Sequence, residues 1–319
     1  MIIAPIVLKI TRKLKFGQTI LHYVENHSIK QGTPTMGGLI FIIATILVSL
    51  AFMNNNHSIG FVTLAVFFAF GVLGFLDDYI KIKFKRNLGL RPYQKIIGQV
   101  AISLIVALFV YFNPMIGSKI YLPFSNIQLD LGAGIIPFIM VVFIATTNSV
   151  NLTDGLDGLA GGVSFAYLIG FGVISFIYLN ALTAGLDNAI INEQTNLLII
   201  NCSAAGAILA FLVFNSHPAS IFMGDTGSLA LGALIACLAC FNGQSLLIPI
   251  LGLMFVLSTV SVILQVLYFK KTKKRIFLMA PLHHHFEKKG KYETKIVSIY
   301  IIITLMLSSI GIMLTIICR

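Results

Sequence analysis

Apolar residues in this chain come in long unbroken runs. Runs near the length of about 20 residues that a membrane-spanning helix needs are Thr35–Met53, Gly60–Leu76, Ile96–Phe112, Ile135–Val150, Gly162–Leu179, Leu197–Phe214, Leu229–Phe241 (the shortest), Leu246–Phe269 and Ile296–Cys318. They predict nine full transmembrane helices. The opening MIIAPIVLKI is apolar but too short to span, and it has no small-residue cleavage site. It therefore reads as the end of a truncated first helix and not as a signal peptide. Between 113 and 134, the stretch KIYLPFSNIQLDLG alternates and contains Pro and Gly, which predicts a small hairpin. The expected architecture is all-α: a polytopic helical bundle forming one integral-membrane domain over 1–319.

Composition agrees. The 319 residues are 57% hydrophobic and 10% charged, whereas a soluble domain is about a quarter charged. A formal net charge of +11 would suggest nucleic acid in a soluble protein. Here 20 of the 22 basic residues fall in three segments, 9–34, 77–95 and 270–295. With nine spans after residue 34, these lie on one side, the cytoplasmic side by the positive-inside bias, so no nucleic-acid partner is expected. Loops 148–160 and 215–228 share that side although they carry no Lys or Arg. Cys237 and Cys240 form a C-x-x-C inside an apolar run with no second pair, so neither a disulfide nor a zinc site is expected.

The acidic residues carry the candidate chemistry. Five of the eleven sit in three motifs on the basic side. Asp77 and Asp78 end the uncharged run 60–76 in GFLDDYIK; Asp154 and Asp157 lie in NSVNLTDGLDGLAGG; Asp225 lies in NSHPASIFMGDTGSLALG. A helix N-cap role suits Asp154 or Asp157, but not all five, because these loops are also rich in Gly, Asn, Thr and Ser, which bring backbone N–H groups close to a ligand. Carboxylates beside many lysines at a membrane surface point to a divalent cation and phosphates: Mg²⁺ takes one or two carboxylates and leaves other positions to water and phosphate, and lysines act as point charges. Two adjacent aspartates tolerate each other when a metal or ammonium lies between them. His283, His284 and His285 stand in APLHHHFEKKG. Three consecutive side chains do not readily converge on one ion, so this run reads as a phosphate- or sugar-contacting loop. His22, His27, His57 and His217 read as solvated or capping.

GTPTMGG (32–38), FLDDYIK (75–81), RNLGLRPYQK (86–95), NSVNLTDGLDGLAGG (148–162), FMGDTGSLALG (222–232) and APLHHHFEKKG (280–290) resemble, in order, the motifs of the phospho-N-acetylmuramoyl-pentapeptide transferases. The resemblance covers residues 9 to 319. It implies transfer of phospho-N-acetylmuramoyl-pentapeptide from its UDP donor to undecaprenyl phosphate, with loss of UMP and a requirement for Mg²⁺, at the cytoplasmic face of the bacterial inner membrane. It also implies a homodimer, and ten helices in place of nine. Carried over onto this sequence, Asp77, Asp78 and Asp225 are catalytic. Asp225 and Asp78 are the metal contacts, and one of Asp77 and Asp78 is the candidate base for the lipid phosphate. A carboxylate nucleophile is the open alternative. Asn151, Asp154 and Asp157 are expected to bind nucleoside and sugar, with Phe222 stacking on uracil. Lys30, Thr35, Lys81 and Lys85, with His283 and His284, are expected to line the phosphate and sugar path.

Two rivals stand beside this reading. A UDP-N-acetylglucosamine-1-phosphate transferase would share the aspartate motifs, although relatives with that donor tend to interrupt the histidine run. A membrane transporter would place ionisable residues near the middle of its spans, and here the spans are almost free of charge.

Overall fold

The computed structural model describes residues 1–13, 32–54, 58–84, 89–125, 127–182 and 187–318. The described helices are α1 (Ile3–Lys13), α2 (Gly38–Phe52), α3 (Ser58–Lys83), α4 (Pro92–Phe112), α5 (Ile135–Thr153), α6 (Leu159–Leu182), α7 (Asn188–Asn215), α8 (Gly224–Phe241), α9 (Ile248–Leu251), α10 (Leu253–Thr272), α11 (Leu282–Lys288) and α12 (Glu293–Ile317). The predicted hairpin is present as β1 (Lys119–Tyr121) antiparallel to β2 (Gln128–Asp130), with Lys119 opposite Asp130.

Eight of the described helices, α3 to α8, α10 and α12, are long and apolar enough to cross a bilayer. The chain is therefore an all-α, polytopic membrane protein. The first predicted span is shorter than expected: α2 holds 15 residues, about 22 Å at 1.5 Å per residue. The run Leu246–Phe269 is not one helix. A 3-10 turn at Ser245–Leu247 leads into α9, and the axis breaks at Gly252 before α10. Pro249 lies at the start of α9, where its missing N–H costs nothing.

The bundle is built around α8. Every residue from Thr226 to Phe241 is buried. The sequence GDTGSLALGALIACLACF explains why: Gly, Ala, Ser and Cys leave little side chain between neighbouring backbones. Lipid tails are as apolar as leucine, so helices in a bilayer associate through such close approaches and through polar contacts. Gly74 of α3 marks one crossing: a Cβ there would overlap the carbonyl of Asp225. Gly38 of α2 meets Gly227 in the same way. At its other end, α3 is capped by a buried carboxylate. Glu193 of α7 accepts the N–H groups of Ile59 at 3.1 Å and Gly60 at 3.3 Å, which offsets orphan donors and the helix dipole. This glutamate is thus bound to backbone and is not a relay group within a span.

Candidate active site

The C-terminal part of α3, the N-terminus of α8 and the C-terminus of α5 meet at one end of the bundle. Helix α3 continues to Lys83, so Asp77 and Asp78 project from a helix that is already packed on α8. Both are 3% exposed. Asp78 Oδ2 accepts the N–H of Thr226 at 2.9 Å and its hydroxyl at 2.7 Å. Asp77 Oδ1 accepts the N–H of Leu90 at 2.9 Å, which folds the connection after α3 over the carboxylate. Asp225, in the first turn of α8, completes the group: ligand oxygens of Asp77, Asp78 and Asp225 all lie within 4.8 Å of one another.

Like charges this close need a cation among them. Lys81 supplies one from the next turn of α3: its Nζ lies 2.6 Å from Asp77, 3.5 Å from Asp78 and 3.2 Å from Asp225. A second ammonium, Lys95 of α4, donates to Asp225 Oδ2 at 2.6 Å. The other oxygen, Asp225 Oδ1, takes the amide of Asn151 on α5 at 2.8 Å, and the same Nδ2 reaches Ser228 Oγ at 2.8 Å. Three hard oxygen donors already converging on one ammonium fit a small divalent cation such as Mg²⁺, which accepts carboxylate oxygens and shares the rest of its shell with water and phosphate.

The segment 32–38 docks here through its backbone. Gly37 and Gly38 donate to the carbonyls of Phe222 at 2.8 Å and Met223 at 3.0 Å, and Phe222 donates to Pro34 at 2.8 Å. This strand-like clip places the buried Thr35 beside Gly224, whose φ is +74°; a Cβ at Gly224 would lie 2.7 Å from Thr35 Oγ1 and would also meet Asp78. Only glycine meets both demands.

Asp154 and Asp157 take separate roles. Asp154 follows the last turn of α5 and keeps some surface. Burial first, then the charges of Asp225 and Asp78, raise its pKa above the ordinary carboxylate range. Asp157 turns the other way. Its Oδ2 accepts the N–H of Ala219 at 3.0 Å and lies 3.2 Å from His217 Nδ1, while its own N–H donates to Glu293 at 2.7 Å. His217 also lies 3.3 Å from Glu293. His217 is exposed, as its solvated reading expects, yet it also joins Asp157 and Glu293 in a knot that ties three segments distant in sequence.

The three histidines split: the rings of His283 and His284 lie 4.4 Å apart on the side of Gly155, and His285 turns to the segment before α11. His285 Nδ1 accepts the N–H of Leu278 at 3.1 Å. His284 Nδ1 lies 2.9 Å from Glu287. His283 is fully buried against Gly155, and neither ring nitrogen has a hydrogen-bond partner among the described residues. Burial pushes its pKa down to about 3, so the ring is neutral at physiological pH. His284 Nε2 faces the same glycine, 3.0 Å from where a Cβ would sit.

The structure thus gathers Asp77, Asp78, Asp225, Lys81, Asn151 and Thr35 at one point, with Asp154 within electrostatic range. His283 and His284 pack on the loop that follows Asp154, and Phe222 is half-buried in the clip. Lys30 and Lys85 lie outside the described residues. Lys95 and Thr226 are the contacts that the expected set omits. Lys95 stands inside RNLGLRPYQK, but one lysine among the six basic residues between 77 and 95 carries no mark of its partner.

The profile of glycosyl transferase family 4 matches residues 59–242, and signature 1 of the phospho-N-acetylmuramoyl-pentapeptide-transferases matches residues 30–42. The phospho-N-acetylmuramoyl-pentapeptide-transferase of Clostridioides difficile (strain 630) is 43% identical over 314 residues, which cover 98% of this chain and 92% of the relative. That of Clostridium kluyveri (strain NBRC 12016) is 46% identical over 312 residues, 98% and 94% of the two chains. That of Caldanaerobacter subterraneus subsp. tengcongensis is 44% identical over 295 residues, 92% and 88%. These matches run nearly end to end and take in every motif that builds the carboxylate site: this chain belongs to glycosyl transferase family 4 and, within it, to the phospho-N-acetylmuramoyl-pentapeptide-transferases.

Proposed function

We propose that this chain transfers phospho-N-acetylmuramoyl-pentapeptide from its UDP donor to undecaprenyl phosphate, releasing UMP, at the cytoplasmic face of a bacterial inner membrane. The observation that carries the reading is the convergence of Asp77, Asp78 and Asp225 around Lys81 at the end of a membrane bundle. A lipid head group and a soluble nucleotide can meet only at such a place.

An oxygen of the lipid phosphate attacks the sugar-bearing phosphorus, and the bond from that phosphorus to the bridging oxygen breaks. UMP carries away that oxygen and its electron pair. Phosphoryl transfer of this kind needs positioning and charge neutralisation above all. Mg²⁺ held by Asp225 and Asp78 would neutralise diphosphate charge. Asp78 binds Thr226 through Oδ2, which fixes α3 to α8, and its Oδ1 faces Lys81. Asp77, held by Leu90 and Lys81, is the carboxylate we assign to the proton of the lipid phosphate. Lys81 and Lys95 offer point charge to phosphate oxygens. Asn151 orients Asp225. Phe222 offers a face for uracil, and Asp154 and the His283–His284 turn offer polar contacts to the sugar. Asp157 supports that loop through Ala219 and His217. The exposed apolar faces of the outer helices meet membrane lipid, and a second copy of the chain is the expected partner, as in a homodimer.

Purified protein given UDP-N-acetylmuramoyl-pentapeptide or UDP-N-acetylglucosamine with undecaprenyl phosphate decides the donor. Release of UMP with the first alone is expected; release with the second alone overturns the reading.

Two further expectations follow from this placement. If the carboxylate end faces the cytoplasm, an impermeant thiol reagent on intact cells should label a cysteine at Asn188 and spare one at Lys289, both exposed positions; the reverse pattern contradicts the orientation. If His284 contacts donor rather than metal, His284→Ala should lower kcat/KM by about 10-fold, the scale of one lost polar contact, and leave the Mg²⁺ concentration for half-activity unchanged. A rightward shift of that concentration would make His284 a metal-shell residue.

A further inference from the structure

Asp225 is held from two sides, by Lys95 of α4 on Oδ2 and by Asn151 of α5 on Oδ1. One turn deeper, the same two helices are joined directly. Asn148 Nδ2 donates to Gln99 Oε1 at 2.7 Å and to the carbonyl of Ile144 at 2.7 Å, and Gln99 Nε2 makes a long return contact to Asn148 Oδ1 at 3.5 Å. Gln99 is fully buried. Lys95 and Gln99 are four apart on α4, and Asn148 and Asn151 are three apart on α5, so each pair shares one helix face. The contacts close a ring: Asp225, Lys95, Gln99, Asn148, Asn151 and back to Asp225.

A buried glutamine in a membrane helix is costly unless paired, and polar pairs are among the forces that fix helix register in a bilayer. Here the pair lies where a slide of α4 against α5 would carry Lys95 and Asn151 to different heights on Asp225. From this closed ring we infer that Gln99 and Asn148 are positioning residues for the transfer reaction, setting the register at which Lys95 and Asn151 grip Asp225. The inference rests on the functional reading above, and wild-type activity in the same assay separates the two: a wild type that releases no UMP fails the reading, not the ring.

The test uses full-length protein in lipid nanodiscs, with rates expressed per folded, monodisperse enzyme. Gln99→Leu and Asn148→Leu should each lower kcat by about 10-fold or more, the scale of a sub-ångström to ångström misplacement, while KM for the UDP donor moves less than about 2-fold, because these side chains touch no substrate. The double leucine variant should be no worse than the poorer single one, since both break one contact. The exchange Gln99→Asn with Asn148→Gln restores the summed side-chain length and should exceed both of its own single variants in kcat; this arm holds even where a leucine variant fails to fold. Unchanged kcat in both leucine variants, a double loss equal to the product of the single losses, or an exchange no better than its parts would overturn the inference.

Discussion

Asp225→Asn is expected to lose on the order of 10²-fold or more in kcat, the scale of removing one preorganised electrostatic contact. The asparagine keeps the shape and one oxygen but removes the charge on which Lys81, Lys95 and the other two carboxylates are balanced. It also leaves two ammonium groups, at 3.2 and 2.6 Å, facing a neutral amide. Excess Mg²⁺ or Mn²⁺ should recover part of the loss, because a weakened site still fills at higher metal concentration. Asp77→Asn, which removes the carboxylate proposed to take the lipid phosphate's proton, should show no such recovery. Kinetics of both variants across metal concentration check this; near-normal turnover and metal dependence for Asp225→Asn would move the metal to the Asp77–Asp78 pair.

Gly74→Ala is expected to have the next largest effect, although Gly74 touches no substrate. Its added methyl would overlap the backbone carbonyl of Asp225, and backbone cannot swing aside as a side-chain tip can. Overpacking of this kind costs about 1–3 kcal/mol. The catalytic consequence is larger, because Asp77 and Asp78 lie three and four residues further along the same helix. Forcing α3 from α8 moves both from Asp225, and a displacement of about 1 Å costs up to 10²-fold in rate. We expect a lowered Tm together with activity near 1% of wild type. A variant that melts lower but turns over normally per folded molecule would show that the crossing serves stability alone.

Much of this molecule is legible in the chain because a bilayer imposes a simple rule. An apolar run near 20 residues must form a helix, since its backbone groups can bond only to one another. Eight of the nine predicted runs accordingly fall on one helix each. The break at Gly252 escaped the rule because the residues around it stay apolar through the 3-10 turn and α9, so hydropathy alone shows no seam. The site was legible in its types and blurred in its partners. Paired aspartates after an uncharged run, and a third between glycines, suggest a shared cation, and the structure brings the three carboxylates within 4.8 Å of one another. That Lys95 reaches Asp225, that Asp157 bonds Ala219 and His217, and that His283 turns inward onto Gly155 are contacts between segments up to 130 residues apart; no local pattern encodes them. The Gln99–Asn148 pair is intermediate, since a glutamine within an apolar run signals a partner without naming it.

Manganese EPR tests the cation site most directly, because it reads the metal without depending on turnover. Titrating the purified protein with Mn²⁺, in the absence of donor and lipid phosphate, should reveal a bound ion that Mg²⁺ displaces. Its affinity should fall by about 10-fold or more in Asp225→Asn, the cost of removing one charged ligand from a partly buried site, and should stay unchanged in His284→Ala. Equal Mn²⁺ affinity in wild type and Asp225→Asn would contradict the account at its centre, because Asp225 would then not be a ligand of the ion.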